Sequence, residues 1–246
     1  MSRFGRVRRL TATGSTNDDM ARILGETDAR GLTIVADYQQ HGSGRKGRQW
    51  LAPPGTGLLF TTALPDPLPA SDLWILPFWM ALVVRRTLLT YDIHSLLQWP
   101  NDLLIEGRKA GGILCIARVT GQTAWVAAGV GINVTRPDDD ETLKTIDPPP
   151  AFLSDYRTID RDDLLQTILQ CADEQYPELQ TPDAIALRWE SAANVPGARY
   201  TILEDQTDRP FEAVALRLAR GGGLIVRVGE RIREIGLADA RVLRAG

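Results

Sequence analysis

Two short stretches of this chain gather side chains able to act on an anionic group. The first is Gly42-Ser-Gly44-Arg-Lys-Gly47-Arg48, preceded by His41 and followed by Trp50, with no acidic residue between Tyr38 and Asp66. Guanidinium forks, together with backbone N–H groups freed by glycine, suit a phosphate or a carboxylate. The second is Gln98-Trp-Pro-Asn-Asp102, with Lys109 seven residues on and Ala-Gly-Gly-Ile-Leu114 after it. Pro100 cannot donate to a ladder, and Asn101 and Asp102 favour a turn. The stretch therefore reads as a strand stopped by a polar corner, with a lysine returning on the next strand. Such a corner can offer metal, phosphate and carboxylate contacts in one place. Taken singly, a solvated basic turn and an ordinary hairpin corner account for the same residues.

The glycines satisfy two familiar patterns and fit neither. G-x-G-x-x-G after a strand suggests a dinucleotide site, but that fingerprint must open a helix facing the pyrophosphate. Pro53, Pro54 and Gly55 follow too closely for a regular helix to start there. P-loop spacing is present too, yet Arg48 and Gln49 stand where lysine and Ser/Thr are required.

The elements that must position these residues follow from periodicity. Ser15 to Leu24 reads as a helix with Met20, Ile23 and Leu24 on its apolar side and Ser15 or Thr16 able to cap it. Leu32 to Tyr38 and Gly57 to Leu64 are β-rich, so the glycine-rich loop hangs from two strands. Asp72 to Thr90 has mostly helical spacing, with Pro77 placed to kink it. Short strands follow at Leu96–Trp99, Leu103–Ile105, Gly112–Arg118 and Ala124–Val134, suggesting a largely antiparallel sheet. Gly129 and Gly131 in the last of these read as bulges or as sites of close approach. Residues 137–150 are acidic and proline-rich, an exposed connection. Amphipathic helices are expected at Asp160–Tyr176 and Pro182–Glu190. Beyond Asn194-Val-Pro-Gly197 the pattern turns to short alternating strands at Arg199–Leu203, Phe211–Leu218, Gly223–Val228 and Glu230–Ile235, a small β-barrel. The domain division expected is 1–194 and 195–246.

The chain has 246 residues, 43% hydrophobic and 24% charged, long enough to bury roughly 70% of its unfolded surface without staples. Cys115 and Cys171 lack C-x-x-C partners, and only His41 and His94 accompany them, which argues against a disulfide framework and a structural zinc. No apolar h-region follows the basic N-terminus, and no 18-residue apolar run is read anywhere. A cytoplasmic protein without membrane association is the expectation. The net charge of -3 gives no global pull toward nucleic acid.

Taken together, the motifs resemble the biotin protein ligase family. The matching blocks are Ser15-Thr16-Asn17, Tyr38-Gln39-Gln40 leading into Gly42–Arg48 and Trp50, Trp99-Pro-Asn-Asp102, Lys109 with Gly111-Gly112-Ile113-Leu114, and Gly129-Val-Gly-Ile-Asn-Val134. They occur in the family's order over residues 15–134. The resemblance implies an α+β fold: a mixed, largely antiparallel sheet flanked by helices, with a small SH3-like β-barrel at the C-terminus. It implies a two-step reaction in which biotin attacks ATP to give biotinoyl-adenylate, and a lysine of a biotin carboxyl carrier protein or domain takes the acyl group. ATP, Mg2+ and biotin are the small molecules implied.

By the same resemblance, Arg45 and Lys109 are the catalytic cations. Ser15, Thr16, Asn17, Gln39, Gly42, Arg45, Lys109 and Gly112 bind the substrate acid, and Arg48, Trp50, Asn101, Asp102 and Asn133 serve the nucleotide. The metal ligands are left unassigned. The chain departs from the family at Ser43 and Gln98, where arginine and lysine are usual, and at Cys115-Ile116-Ala117, where an acid is usual. Those departures keep open a relative acting on lipoate or octanoate, or a non-catalytic binding protein. Fourteen residues precede Ser15, too few for a winged-helix DNA-binding domain, so no operator binding is expected. Edge strands leave a homodimer open.

Overall fold

The computed structural model describes residues 2–138, 146, 149–205, 209–237 and 240–245. The connection expected over 137–150 lies largely outside them. The chain runs β1 (Arg6–Leu10), α1 (Thr16–Ile23), β2 (Leu32–Ala36), β3 (Gly57–Ala63), β4 (Leu68–Pro69), α2 (Leu76–Thr90), β5 (Leu96–Gln98), β6 (Asp102–Ile105), β7 (Arg108–Thr120) and β8 (Thr123–Asn133). It continues with α3 (Arg161–Gln175), α4 (Pro182–Ala192), β9 (Arg199–Glu204), β10 (Phe211–Leu218), β11 (Leu224–Val228), β12 (Arg231–Ile235) and β13 (Ala240–Ala245).

Seven strands form a sheet in the order β1-β2-β3-β8-β7-β6-β5, with β4 added beside β8. Every pair in it is antiparallel except β1 with β2. β2 and β3 are buried along their whole length, which is why both read as unbroken β-rich runs rather than as alternation. The turn from β6 to β7 has positive φ at Glu106 (51°) and Gly107 (73°), the sign pattern of a type I′ hairpin turn. β7 and β8 stay paired from Gly111↔Ile132 to Thr120↔Thr123, so the glycines of both strands lie side by side, Gly112 opposite Gly131.

Helices cover both faces of the sheet, α1 on one with Met20 and Leu24 against Ile34, Ala63 and Ala127, and α2, α3 and α4 on the other. Trp79, Phe78 and Met80 of α2 are fully buried, and α2 packs against α3 and α4. Phe78 meets Trp189 of α4 edge-on, centroids 4.9 Å apart. Pro77 does not kink this helix: it lies in the first turn of α2, and the preceding turn, Ala70–Ile75, is 3₁₀. The stretch Ala70–Thr90 is long and apolar enough to cross a membrane by length and composition, and 61% of an 18-residue window within it is buried in this core. Asp160 caps α3 by accepting from the N–H groups of Asp162 and Asp163.

The second sheet is antiparallel, order β12-β11-β10-β9-β13. Its fifth strand, β13, returns to β9 and goes beyond the four strands expected. Trp99 fastens the two sheets together, for its indole N–H donates to the Gly222 carbonyl at 3.0 Å and the residue is fully buried. Trp99 is therefore core rather than a ligand wall.

Candidate active site

The start of α1, the β2–β3 loop, the β5–β6 corner and the glycine-bearing middle of β7 and β8 meet at one cavity. The helix start is unusual in how it is capped. Ser15 occupies the N-cap position of α1 but makes no side-chain cap, against the sequence expectation. Gln39 Oε1 accepts from the Thr16 N–H instead, at 2.7 Å, and from the Thr16 hydroxyl at 3.0 Å. Gln39 can do this because the segment after β2 bridges to Thr13. Asn17 donates to the Leu114 carbonyl at 3.1 Å, tying α1 to β7. Thr61 of β3, which carries no motif signal, lies beneath, with its hydroxyl 2.8 Å from both Thr16 Oγ1 and Asn17 Oδ1.

The glycine-rich loop is folded on itself. Its neck is closed by the Gly55 N–H donating to the Asp37 carbonyl at 3.0 Å. Inside, Trp50 N–H donates to Gly42 O at 2.7 Å and Gly44 N–H to Arg48 O at 2.7 Å, around a 3₁₀ turn at Arg45–Gly47. The N–H groups of Gly44, Arg48 and Trp50 are thus spent within the loop. No helix follows the glycines, in keeping with the failure of both phosphate-loop patterns. Gly42 serves the loop's own fold, since a Cβ there would sit 2.6 Å from the Trp50 carbonyl oxygen.

The tip reaches across to the second sheet. Arg45 donates to the main-chain carbonyl of Leu237, and Lys46 Nζ lies 2.5 Å from Asp205 Oδ1. Burial, then the adjacent Arg48 charge, lowers the Arg45 guanidinium below the ordinary arginine value, with Asp102 and Asp205 opposing. Arginine's intrinsic basicity keeps it a cation at pH 7. Leu237 and Asp205 have no signal in the sequence that links them to the loop.

On the opposite wall, Lys109 Nζ lies 2.6 Å from Asp102 Oδ1 and 5.5 Å from the centre of the Trp50 ring. The polar corner holds itself in place: Asn101 Nδ2 donates to the Ile113 carbonyl at 2.8 Å, and the Ile113 N–H returns to the Asn101 carbonyl at 3.0 Å. That leaves Asn101 Oδ1 buried with no donor. Trp50 fills the slot made by the paired glycines, because a Cβ at Gly131 would lie 2.6 Å from its Cε2 and one at Gly112 3.3 Å from its Cζ3. These glycines are sites of close approach rather than bulges. Gly129 similarly makes room for Asn17, whose Oδ1 a Cβ there would meet at 2.2 Å.

The cavity, of about 110 Å³, is lined by Ser15, Thr16, Asn17, Gln39, Arg45, Arg48, Trp50, Asn101, Lys109 and Gly112, ten of the residues singled out in the sequence. Ser43 also borders it. Gly42, Asp102 and Asn133 do not line it. Asp102 acts through its ion pair with Lys109. Asn133 donates to the carbonyls of Lys109 (3.2 Å) and Ala151 (3.1 Å), clasping β7 to the segment after β8. An adjoining hollow of about 260 Å³ is bordered by Arg48, Trp50, Leu51, Lys109, Asn133, Ile146 and Pro150. Among the described residues, no group of three or more His, Cys, Asp or Glu side chains could hold a metal.

Residues 6–133 match the model of the biotin/lipoate A/B protein ligase family, and the chain belongs to that family. A bifunctional ligase/repressor of Bacillus spizizenii is 31% identical over 231 residues, 92% of this chain and 70% of that protein. The biotin–[acetyl-CoA-carboxylase] ligase of Mycobacterium tuberculosis is 32% identical over 152 residues, 58% of this chain and 53% of that protein. The fold is that of the biotin protein ligase from Aquifex aeolicus solved with biotin and ATP, at TM-score 0.77 and 24% identity over 98% of this chain and 100% of that one. Within the family, the chain therefore falls among biotin protein ligases, with the α+β architecture anticipated from its motifs.

Proposed function

We propose that this protein is an ATP-dependent biotin–protein ligase. A biotin carboxylate oxygen attacks the α-phosphorus of ATP, forming the acyl–phosphate bond of biotinoyl-5′-AMP as the bond to pyrophosphate breaks. The amine of a carrier-protein lysine then attacks the acyl carbon, loses a proton, and releases AMP. Relatives carrying biotin ligase names support the reaction class. The carrier is read as a biotin carboxyl carrier protein or domain, and the setting as the cytoplasm.

The observation that favours biotin over lipoate or octanoate is the polar end of the cavity. Ser15, Thr16 and Asn17 are each less than a tenth exposed and sit with Gln39 around one end of it. A urea ring offers two N–H donors and a carbonyl to such a cluster. A dithiolane or an alkyl chain offers none, and a buried polar group left unmatched costs about 1–3 kcal/mol. Sites built to hydrogen-bond a substrate reject analogues lacking those groups by roughly 10⁴–10⁵.

At the other end, Arg45 and Lys109 approach the same space from opposite walls and would meet the charge that develops on the α-phosphate oxygens. Cations already held in place act there without reorganisation, which makes them a large catalytic contribution. Asp102 orients Lys109 through their ion pair. Mg2+ enters with the triphosphate as part of the substrate, and the donorless Asn101 Oδ1 is a hard oxygen suited to its hydration shell. The hollow beside Leu51, Ile146 and Pro150 offers apolar walls to a planar base, with Arg48 and Asn133 at its rim. We assign residues 1–194 to the catalytic unit and 195–246 to the C-terminal one.

The test is pyrophosphate exchange into ATP with biotin, lipoate and octanoate compared side by side. Exchange with biotin alone is expected. Exchange with lipoate or octanoate at equal efficiency overturns the assignment of substrate, and exchange with none overturns the reaction.

A further inference from the structure

Thr61 lies below the cavity without lining it, fully buried on β3 and directly opposite Gly129 of β8. Its neighbours fix one another's orientation. The Thr16 main-chain N–H can only donate, so the atom of Gln39 facing it is the amide oxygen. The Leu114 carbonyl can only accept, so Asn17 turns its nitrogen there and its oxygen to Thr61. Thr61 therefore lies 2.8 Å from the Thr16 hydroxyl and 2.8 Å from the acceptor Asn17 Oδ1. With its one hydrogen on Asn17 Oδ1, the Thr16 hydroxyl serves Gln39, and two side chains that border the cavity are held by one that does not.

We propose that Thr61 is a positioning residue that fixes the Thr16 hydroxyl and the Asn17 amide at the polar end of the cavity, where they meet the head of the bound ligand. The inference rests on the biotin reading given above and deepens it, since a urea offers N–H and carbonyl partners to that pair. Gly129 is the second half of the device, because only a residue without Cβ leaves Asn17 room beside Thr61. The neighbouring Thr62 provides the contrast. Its hydroxyl accepts from Thr33 at 2.9 Å in a closed cross-strand pair that does not border the cavity.

The experiment compares Thr61→Val, Thr61→Ser and Thr62→Val with the parent in pyrophosphate exchange, titrating biotin and ATP separately. Val at 61 keeps the shape and removes the hydrogen. The expected result is a biotin KM raised about 10- to 100-fold, with the ATP KM and the rate at saturating biotin within twofold of the parent. Thr61→Ser restores the parent value, and Thr62→Val does not move it. A biotin KM within twofold in Thr61→Val, an equal rise in the ATP KM, or an equal rise in Thr62→Val overturns the role. In the ligand-free protein, the side-chain amide NMR signals of Asn17 and Gln39 are expected to shift in Thr61→Val and return in Thr61→Ser; unshifted signals also overturn it. A parent without biotin-dependent exchange but with these amide shifts would overturn the ligase assignment and leave the hydrogen-bond network standing.

Discussion

The Arg45 guanidinium donates to the main-chain carbonyl of Leu237, so the loop that hangs from the eight-stranded sheet is fastened at its tip to the five-stranded one. The cation proposed to meet the α-phosphate is therefore held before any nucleotide arrives. Its tether is one partly buried hydrogen bond outside the hydrophobic core. Arg45→Ala should lower adenylate formation about 10²- to 10³-fold and move the melting temperature by only about 2–4 °C. Pyrophosphate exchange and thermal melting measured on the same preparation check both; a large thermal shift with exchange intact would make Arg45 a structural residue.

Trp50 sits in the Gly112–Gly131 slot, and the cavity it borders, about 110 Å³, is smaller than the roughly 300 Å³ at which ligand clefts begin. The indole must shift for an acid and a nucleotide to enter together. Adding biotin and ATP should change tryptophan emission, and Trp50→Phe should lose most of that change. Emission changes of equal size in both proteins would place the reporting tryptophan elsewhere.

Gly131→Ala drives a methyl group to within 2.6 Å of the Trp50 ring. Backbone on the paired strand cannot yield, so the indole must. The variant should fold, with substrate affinity reduced at least tenfold, as read by calorimetry. Unaltered affinity would show that the slot is not part of the ligand path.

Lys109→Arg is not a conservative change here. The ammonium is a compact charge between Asp102 and the Trp50 face, and a guanidinium fork is broader and planar. Exchange activity should fall about tenfold or more with the melting temperature unchanged, the loss appearing in the rate at saturating substrates. Parental turnover in this variant would leave only the sign of the charge to matter.

Asp155 accepts two bonds from the Arg136 guanidinium, at 2.7 and 2.6 Å, and this pairing is the main cause holding its carboxyl below the ordinary range; burial opposes, and the Phe152 N–H assists. A folded pKa below the unfolded one contributes stability that is complete above about pH 4 and is lost as the pH falls through the lowered value. Asp155→Asn should cost about 1 kcal/mol at pH 7, and the gap to the parent should narrow below pH 4 in denaturant melts. A gap independent of pH would mean that packing, rather than charge, carries it.

Much of this was readable from residue types alone. The loop between β2 and β3 was placed by its flanking β-rich runs, and ten named residues meet at one cavity because the motifs lie at strand ends and corners with few ways to fold. β1 escaped because three of its five residues are arginines and its hydrogen bonds come from a parallel partner distant in sequence. Thr61 escaped because one threonine in an apolar strand looks like any β-branched residue, and only the crossing of α1 reveals its neighbours. Leu237 escaped for a different reason, since the contact uses its carbonyl, which every residue possesses. Ser15 was assigned a capping role that Gln39 performs, a substitution invisible without the bridge between Thr13 and Gln39.

The single bond closing the neck, Gly55 to Asp37, gives the twenty residues from 37 to 56 the character of an appendage on two buried stalks. Its ends stay together whatever the remainder does, so the conformational freedom at stake in each excursion belongs to the ring and not to the sheet. Changes of length or composition at the tip thereby leave the hydrophobic interior untouched, and the placement of the phosphate-facing cation can be re-tuned there independently of stability.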